Sequence, residues 1–549
     1  FTLSVDVNDR FVMKGVSYRV TSMGEGANNV CVTYMPIEGA SNRTNLKEAN
    51  KAYTGDIVVP DAVTFQNINF NVTAVNDSAF FEAAGITSLS LPDAITAIGK
   101  NVCYDCTGMT AIKFPANLKS LGDYALAYTK IQEAVLPEGF ETVGVRAFMS
   151  CSALKSVSLP STLKAISDYG FYGCGLEQVN IPDGVTGLGT NVFQSNKSLK
   201  TVKLPGNIIA IPNYFFSDCS ALENVDIPES VTELKSAVFR NCSNLKIDIP
   251  SGISKMGSEV FSGCSSLETM TVPASIKAIP TSLFNNCKSL TTVTMAPDVT
   301  TFGANLFSGC TSLRELRFSD SQTSKTTVAP KDATAATTVS LPSTLTEIGK
   351  YCFNKCTSIN GFNLPDGLLK IGEYAFADNA SLTDIRIPET VTSIGAYAFR
   401  STGLTYLVIP ASVTSMGNYL AQHCTGIKFY ICNPKPGSCS GTTFSPSGYN
   451  GTSTLVVPTG SQAAYQAANY WKKNTIVSPA VTSLTIGQDI VSSASQGLTT
   501  LEIPFAFGFD MENLPEQFVA ANNQVAANAS EMSLSYKVDE LSLIHISEP

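Results

Sequence analysis

Apolar residues recur through most of the chain in a fixed order of slots. In one stretch they fall at Leu154, Val157 and Leu159, then after Pro160 at Leu163 and Ile166, and then at Phe171 and Cys174. As a template the unit reads L-x-x-V-x-[LI]-P-x-x-[LV]-x-x-[IL]-G-x-x-A-F-x-x-C. The two-residue step from Val157 to Leu159 is a strand period, which puts both side chains on one face. Proline has no N–H and cannot continue a ladder paired on both sides, so Pro160 should end that strand. The Asp-Gly, Glu-Gly or Ser-Thr pairs that follow the prolines suit a turn. Leu163 to Ile166 predicts a second short extended segment leading to Gly or another small residue, and the A-F-x-x-C stretch fits a single turn of helix.

The apolar-Pro pair marks the period. It recurs at Pro92, Pro115, Pro137, Pro160, Pro182, Pro205, Pro228, Pro250 and Pro273, then at Pro297, and again at Pro342, Pro365, Pro388 and Pro410. Successive prolines lie 22 to 24 residues apart, except for one gap of 45, or two periods. The 22-residue units ending at Pro137, Pro182 and Pro410 lose their residue between the Phe slot and the next strand. A surface loop is expected there, because loops absorb deletions and packed strands do not. The Phe slot forms a column at Phe148, Phe171, Phe193, Phe216, Phe239, Phe261, Phe284, Phe307, Phe353, Phe376 and Phe399. Identical aromatics at the repeat period predict a stacked core spine, in a solenoid whose units bury their apolar faces on one another.

Over about residues 75 to 430 this template closely resembles the BspA-like, or Treponema-type, leucine-rich repeats. The resemblance implies an α/β repeat solenoid, a right-handed leucine-rich-repeat superhelix, mainly β with short helical turns and β-rich caps. About fifteen units at ~4.8 Å per strand would make a coil roughly 70 Å long. It also implies an exported or surface protein of the Bacteroides kind, of a family associated with adhesion to host proteins or other cells.

A solenoid needs atypical segments to close its apolar ends. Residues 1–71 read as a β-rich N-terminal cap, with a strand pair around Gly15 and a half-repeat at Thr54–Pro60. Residues 72–430 are the repeats, and 431–479 read as the C-terminal cap, with an amphipathic helix over Ser461–Trp471. Residues 480–549 suggest a partial β-rich domain, with Val481–Ile486 and Thr499–Ile503 alternating, and an irregular tail from Leu541. The unit at 318–340 keeps its length but loses the A-F-x-x-C signature, either as a degenerate repeat with a loop or as a local recognition feature.

Charged residues make up only 15% of the 549 and the net charge is −9, with no basic stripe. Nucleic acid and anionic lipid are therefore poor partners. No apolar run reaches the ~18 residues of a membrane span. The chain starts at Phe1 without a leader, which is read as a signal or lipid anchor removed from a secreted or cell-surface protein.

Fifteen cysteines and two histidines, His423 and His545, are present. Ten cysteines share one slot: Cys106, Cys151, Cys174, Cys219, Cys242, Cys264, Cys287, Cys310, Cys356 and Cys424. Other units carry Thr129, Asn196, Asn379 or Thr402 there, an exchange that a metal site would not accept. A buried head that satisfies a turn's backbone fits all three residue types. Cys103-Tyr-Asp-Cys106 has redox or zinc spacing, yet Cys103 occupies the Phe slot and no second CxxC follows. Cys432 and Cys439 are the best disulfide candidates, in keeping with export. His423 should lie in an exposed turn. No serine elbow, HExxH, P-loop or paired carboxylates mark an enzyme, and no cofactor or metal is expected.

Binding on the strand face would use outward residues two and four before each proline. They include Ser158, Asn180, Lys203, Asp226, Asp248, Arg317, Arg386 and Tyr406. The leading expectation is a monomeric, non-catalytic scaffold for a host or bacterial surface protein. A structural spacer presenting another domain is the alternative. A carbohydrate-binding protein is a third reading, which would need exposed aromatics or paired carboxylates that the pattern does not reveal.

Overall fold

The computed structural model describes residues 5–24, 28–37, 42–319, 337–447, 451–458, 460–478, 535–538 and 542–545. The chain divides into two compact units, Phe1–Ala333 and Thr334–Pro549. Both are β-solenoids, and together they hold about 17 turns of roughly 23 residues with almost no helix. Among the described residues no helix is long and apolar enough to cross a membrane.

Each turn of the coil has three sides. The first is the strand before the proline, as in Gln178–Asn180, Thr201–Lys203 and Asn224–Asp226, which pair in parallel with Val179, Val202 and Val225 in register. These strands stop two residues before the proline, whose carbonyl accepts a turn bond from the residue three further on, as Pro160 does from Leu163 N–H at 3.1 Å. The second side is a two-residue strand that stacks Ile98, Leu121, Val143, Ile166 and Leu188 in register. At Gly144 the corner after it needs glycine, because a Cβ would meet Leu121 O at 2.5 Å and Gly122 C at 2.7 Å, while Ser167 and Lys235 occupy the same corner in other coils.

The third side is where the expected turn of helix fails to form. Along 124–129 alternate N–H groups point to different acceptors. Tyr124, Leu126 and Tyr128 donate to Val145, Ala147 and Met149 of the following turn at 2.8–2.9 Å. Ala125, Ala127 and Thr129 donate back three residues within their own turn at 3.2–3.3 Å. Tyr124 and Tyr128 carry φ of 56° and 63°, and the same left-handed pair, four residues apart, recurs at Arg146 and Ser150 and at Tyr214 and Asp218. Left-handed residues cannot sit in a right-handed helix, so these are consecutive tight turns whose spare donors bind the coils together.

The core is built from the predicted columns. Every member of the Phe column is fully buried. Phe216, Phe239, Phe261 and Phe284 stack at 5.7, 5.8 and 6.0 Å with their planes within 11°.

Shortened units have a cost that the sequence reading did not assign. The strand-face sheets are interrupted at four of the 22-residue units. Strand Ala111–Lys113 does not pair with Glu133–Val135, nor Ser156–Ser158 with Gln178–Asn180, nor Asp384–Ile385 with Tyr406–Ile409. The fourth is the unit ending at Pro250. Its missing residue falls inside the strand itself, between Leu245 and Ile247, and no strand forms at 246–248. In the unit ending at Pro250 the lost residue shifts the ladder by one, so that Lys246 N–H rather than its neighbour reaches Glu223 O, whereas Gln132 and Glu177 keep the usual bonds to Thr110 and Lys155.

The caps extend the ladders, which accounts for more turns than the fifteen expected. Strands β1 (Arg10–Met13), β2 (Val16–Ser22) and β3 (Asn29–Thr33) form an antiparallel meander. The N-terminal segment also contains a helix, α1 (Arg43–Asn50), that the β-rich expectation lacked, capped by Asn42. Strand β4 (Thr54–Val58) is the expected half-repeat and pairs in parallel with Gly85–Ser90. Buried Glu82 receives Arg43 at 2.5 Å and Lys47 at 2.9 Å, tying α1 to the coil. At the other end Lys428–Ile431, Thr454–Val456 and Thr475–Val477 continue one parallel sheet. The closing helix α2 is shorter than predicted, Gln462–Ala467. Trp471 is buried against Phe444 and Tyr465, and its indole N–H donates to Gly437 O at 3.1 Å. The interruption within 318–340 and the segments Val481–Ile486 and Thr499–Ile503 lie outside the described residues. In the expected irregular tail, Ser542–His545 pairs antiparallel with Ser535–Val538.

Candidate binding surface

The slot cysteines are placed by the turn side, and their chemistry follows from burial. Each thiol points inward to the carbonyl of the Phe slot one coil earlier: Cys174 to Phe148, Cys219 to Phe193 and Cys264 to Phe239, all at 3.1 Å. Asn196 and Asn379 reach the same acceptors with Nδ2 at 2.8 Å. Burial pushes the thiol of Cys151 up to about 11 and those of Cys219 and Cys287 to about 12. A thiolate is the nucleophile and the metal ligand, so these groups are core donors. Cys103 is fully buried, and its thiol is raised by its bond to Cys106 and by burial. Cys432 and Cys439 are half-buried and unbridged. His423 is exposed in its turn, with Nδ1 3.5 Å from Ser401 Oγ.

On the strand face Lys203, Asp226, Asp248 and Arg386 are exposed, as are Ser158 and Asn180. Asn180, Lys203 and Asp226 lie side by side in register. Arg317 is half-buried, its guanidinium 2.9 Å from Glu315. Tyr406 is also half-buried; its hydroxyl donates to Asp384 at 3.5 Å, and burial followed by the Asp384 charge raises its pKa. Lys203, Asp226, Asp248 and Arg317 belong to the first unit, Arg386 and Tyr406 to the second.

Where the strand is missing at 246–248, a shallow groove of about 560 Å³ opens. Asp226, Glu229, Asp248 and Glu268 line it together with Lys246, whose ammonium lies 3.5 Å from Glu268. Such a groove can take polar and charged side chains, and the broken ladder leaves strand edges beside it.

A row of half-buried tyrosines is also present, which the sequence reading did not pick out. They occupy the left-handed position just before the A-F pair, where Tyr351, Tyr374, Tyr397 and Tyr419 stack at 4.6, 4.6 and 5.2 Å. In the first unit the column alternates, with Arg146 held over Tyr124 and Tyr169 at 5.4 and 4.6 Å. The signal was a tyrosine recurring at the repeat spacing, masked because Asn191, Ala237 and Glu259 share the slot.

A profile of the BspA type leucine-rich repeat region matches residues 62–155, 121–246, 210–329 and 312–428, more than half of the chain. No curated protein matches the sequence. Among solved structures, a leucine-rich repeat protein from Bacteroides ovatus is 21% identical, with a TM-score of 0.57 over 85% of this chain and 99% of its own. A leucine-rich cell surface protein from Faecalibacterium prausnitzii is 23% identical over 58% of this chain and 96% of its own, with a TM-score of 0.37. The pneumococcal vaccine antigen PcpA is 19% identical over 87% of this chain and 100% of its own, with a TM-score of 0.41. The likeness to the Bacteroides ovatus protein is one of fold, and the repeat profile carries the family: the chain belongs to the BspA-type leucine-rich repeat proteins.

Proposed function

We propose that the protein is a non-catalytic, secreted or surface-exposed scaffold that binds a host or neighbouring-cell protein through its strand face. BspA-type repeat proteins are generally surface proteins, which supports the location. The observation that carries the binding reading is the polar groove between Asp226 and Asp248, set in rows of exposed, mixed charges. Asp226 and Asp248 line that groove, Lys203 lies in register beside Asp226, and Arg317 in the first unit and Arg386 and Tyr406 in the second are further candidate contacts. Mixed charge at a rim favours orientation and selectivity of a protein partner over raw affinity.

The test is capture of purified host surface and matrix proteins by the full chain, with Asp226→Lys and Asp248→Lys as a paired variant. Saturable capture of one protein, weakened at least tenfold by the pair, is expected. No capture at micromolar concentration overturns direct host-protein adhesion.

A further inference from the structure

The tyrosine ladder of the second unit has no part in the core or in the strand face. Tyr351, Tyr374, Tyr397 and Tyr419 are half-buried, at φ between 54° and 58°, with ring planes 11°, 12° and 20° apart. We propose that this ladder is a docking strip for an uncharged, proline-rich segment in the polyproline II conformation.

Spacing is the first argument. Two steps of 4.6 Å span roughly 9 Å, one turn of a polyproline II helix with three residues at about 3.1 Å each. Every second ring therefore meets the same face of such a helix. Hydrogen bonding is the second. None of the four hydroxyls has a protein partner among the described residues. A polyproline II backbone has no internal hydrogen bonds and offers its carbonyls as acceptors.

Charge selects the occupant. Lys350 is held by Glu373 at 2.6 Å and Arg400 by Asp378 at 3.8 Å, so these flanking charges are paired. A neutral segment complements this strip, whereas a basic or acidic one gains nothing from it. The ring faces of Tyr374 and Tyr397 are closed to sugars, because each has a neighbour on both sides, and Lys350 Nζ sits 5.3 Å from the Tyr351 centroid. What remains is a row of ring edges and hydroxyls, stiffened by stacking, which lowers the ordering cost of binding. The proposal deepens the protein-scaffold reading by naming a partner chemistry, yet it uses a different face from the groove.

The full chain is titrated with a fluorescent decaproline peptide, with a Gly-Ser decapeptide and a soluble β-glucan as comparators. Saturable decaproline binding is expected, weakened at least tenfold in the double variant Tyr374→Asn, Tyr397→Asn. Asparagine already occupies this slot with positive φ at Asn191 and Asn305, so the coil accepts it. Tyr374→Phe with Tyr397→Phe keeps the stack and should weaken binding severalfold through the hydroxyls alone. The Asp226→Lys, Asp248→Lys pair should leave it unchanged, which separates failure of the strip from failure of the groove. No saturable decaproline binding at millimolar peptide, equal binding by the Asn variant, or preference for the glucan each overturns the proposal.

Discussion

Cys242 donates its thiol hydrogen to the carbonyl of Phe216, one coil earlier, at 3.1 Å. This contact explains why cysteine, asparagine and threonine share a slot. Cysteine and asparagine carry a small head able to give a second hydrogen bond to a buried carbonyl that already accepts from its own turn, Phe216 O from Cys219 N–H at 3.2 Å, and Thr402 donates to Phe399 O of its own turn. Cys242→Ala should therefore cost about 0.5–1.5 kcal/mol, the net worth of one hydrogen bond, because Phe216 O keeps its bond from Cys219 N–H. Cys242→Asn should cost less, since Asn196 makes the same bond. Urea midpoints of the two variants decide it, and equal losses would rule out the hydrogen bond as the cause.

The thiols also set a dependence on pH. Burial raises Cys151, Cys219 and Cys287 from 9.0 to about 11, 12 and 12. Between pH 9 and those values the folded state keeps protons that the unfolded chain has lost. Stability is thus fully present below about pH 9 and drains away as pH rises towards the folded values. Urea midpoints should stay flat up to pH 8.5 and fall above pH 9, less steeply in Cys219→Ala. A midpoint independent of pH to 10.5 would contradict the burial of these groups.

Restoring the lost residue should mend the broken ladder. Inserting one serine between Leu245 and Lys246 recreates the L-x-x-V-x-I-P spacing of the neighbouring turns. Amide exchange should then slow severalfold at 246–248 as that segment pairs with Asn224–Asp226 and Thr269–Thr271. Unchanged exchange would show that register does not govern the break.

The Phe spine should respond to volume. Phe239 is fully buried between Phe216 and Phe261. Phe239→Ala should cost about 3–5 kcal/mol by opening a cavity. Phe239→Leu should cost under about 1.5 kcal/mol, since Leu126 fills the same slot elsewhere. Chemical denaturation separates the two, and similar losses would point to strain instead of a cavity.

Trp471, the single tryptophan, reports on the C-terminal cap. At 2% exposure its emission should be blue-shifted in the native chain. Removing the hydroxyl that holds 433–435 in Tyr465→Phe should bring its red shift to a lower urea concentration than the loss of β-structure seen by circular dichroism. Coincident transitions would mean that the cap and the coil unfold as one.

The spine, the two strand sides and the nature of the cysteine slot were legible because each depends on spacing within one unit. Phe148 and Phe171 had to stack once the period was known, and they do so at 4.9 Å. The turn side was misread because A-F-x-x-C spacing does not distinguish a helical turn from paired tight turns. The left-handed pair at Tyr124 and Tyr128 is chosen by donors that reach Val145 and Met149 in the following coil. The tyrosine ladder was missed for a related reason. A tyrosine at a variable turn position carries no signal until its neighbour one coil away is seen to stack on it.

The sequence by itself determined the repeat, its proline-terminated strands and which side chains go inside, because alternation and period fix the buried face of every unit. Only the tertiary structure decided where the ladders break, how the turn side satisfies its backbone and which tyrosines meet. Those outcomes rest on bonds between residues about one period apart. A single-residue change in unit length can make or break them without altering any local pattern.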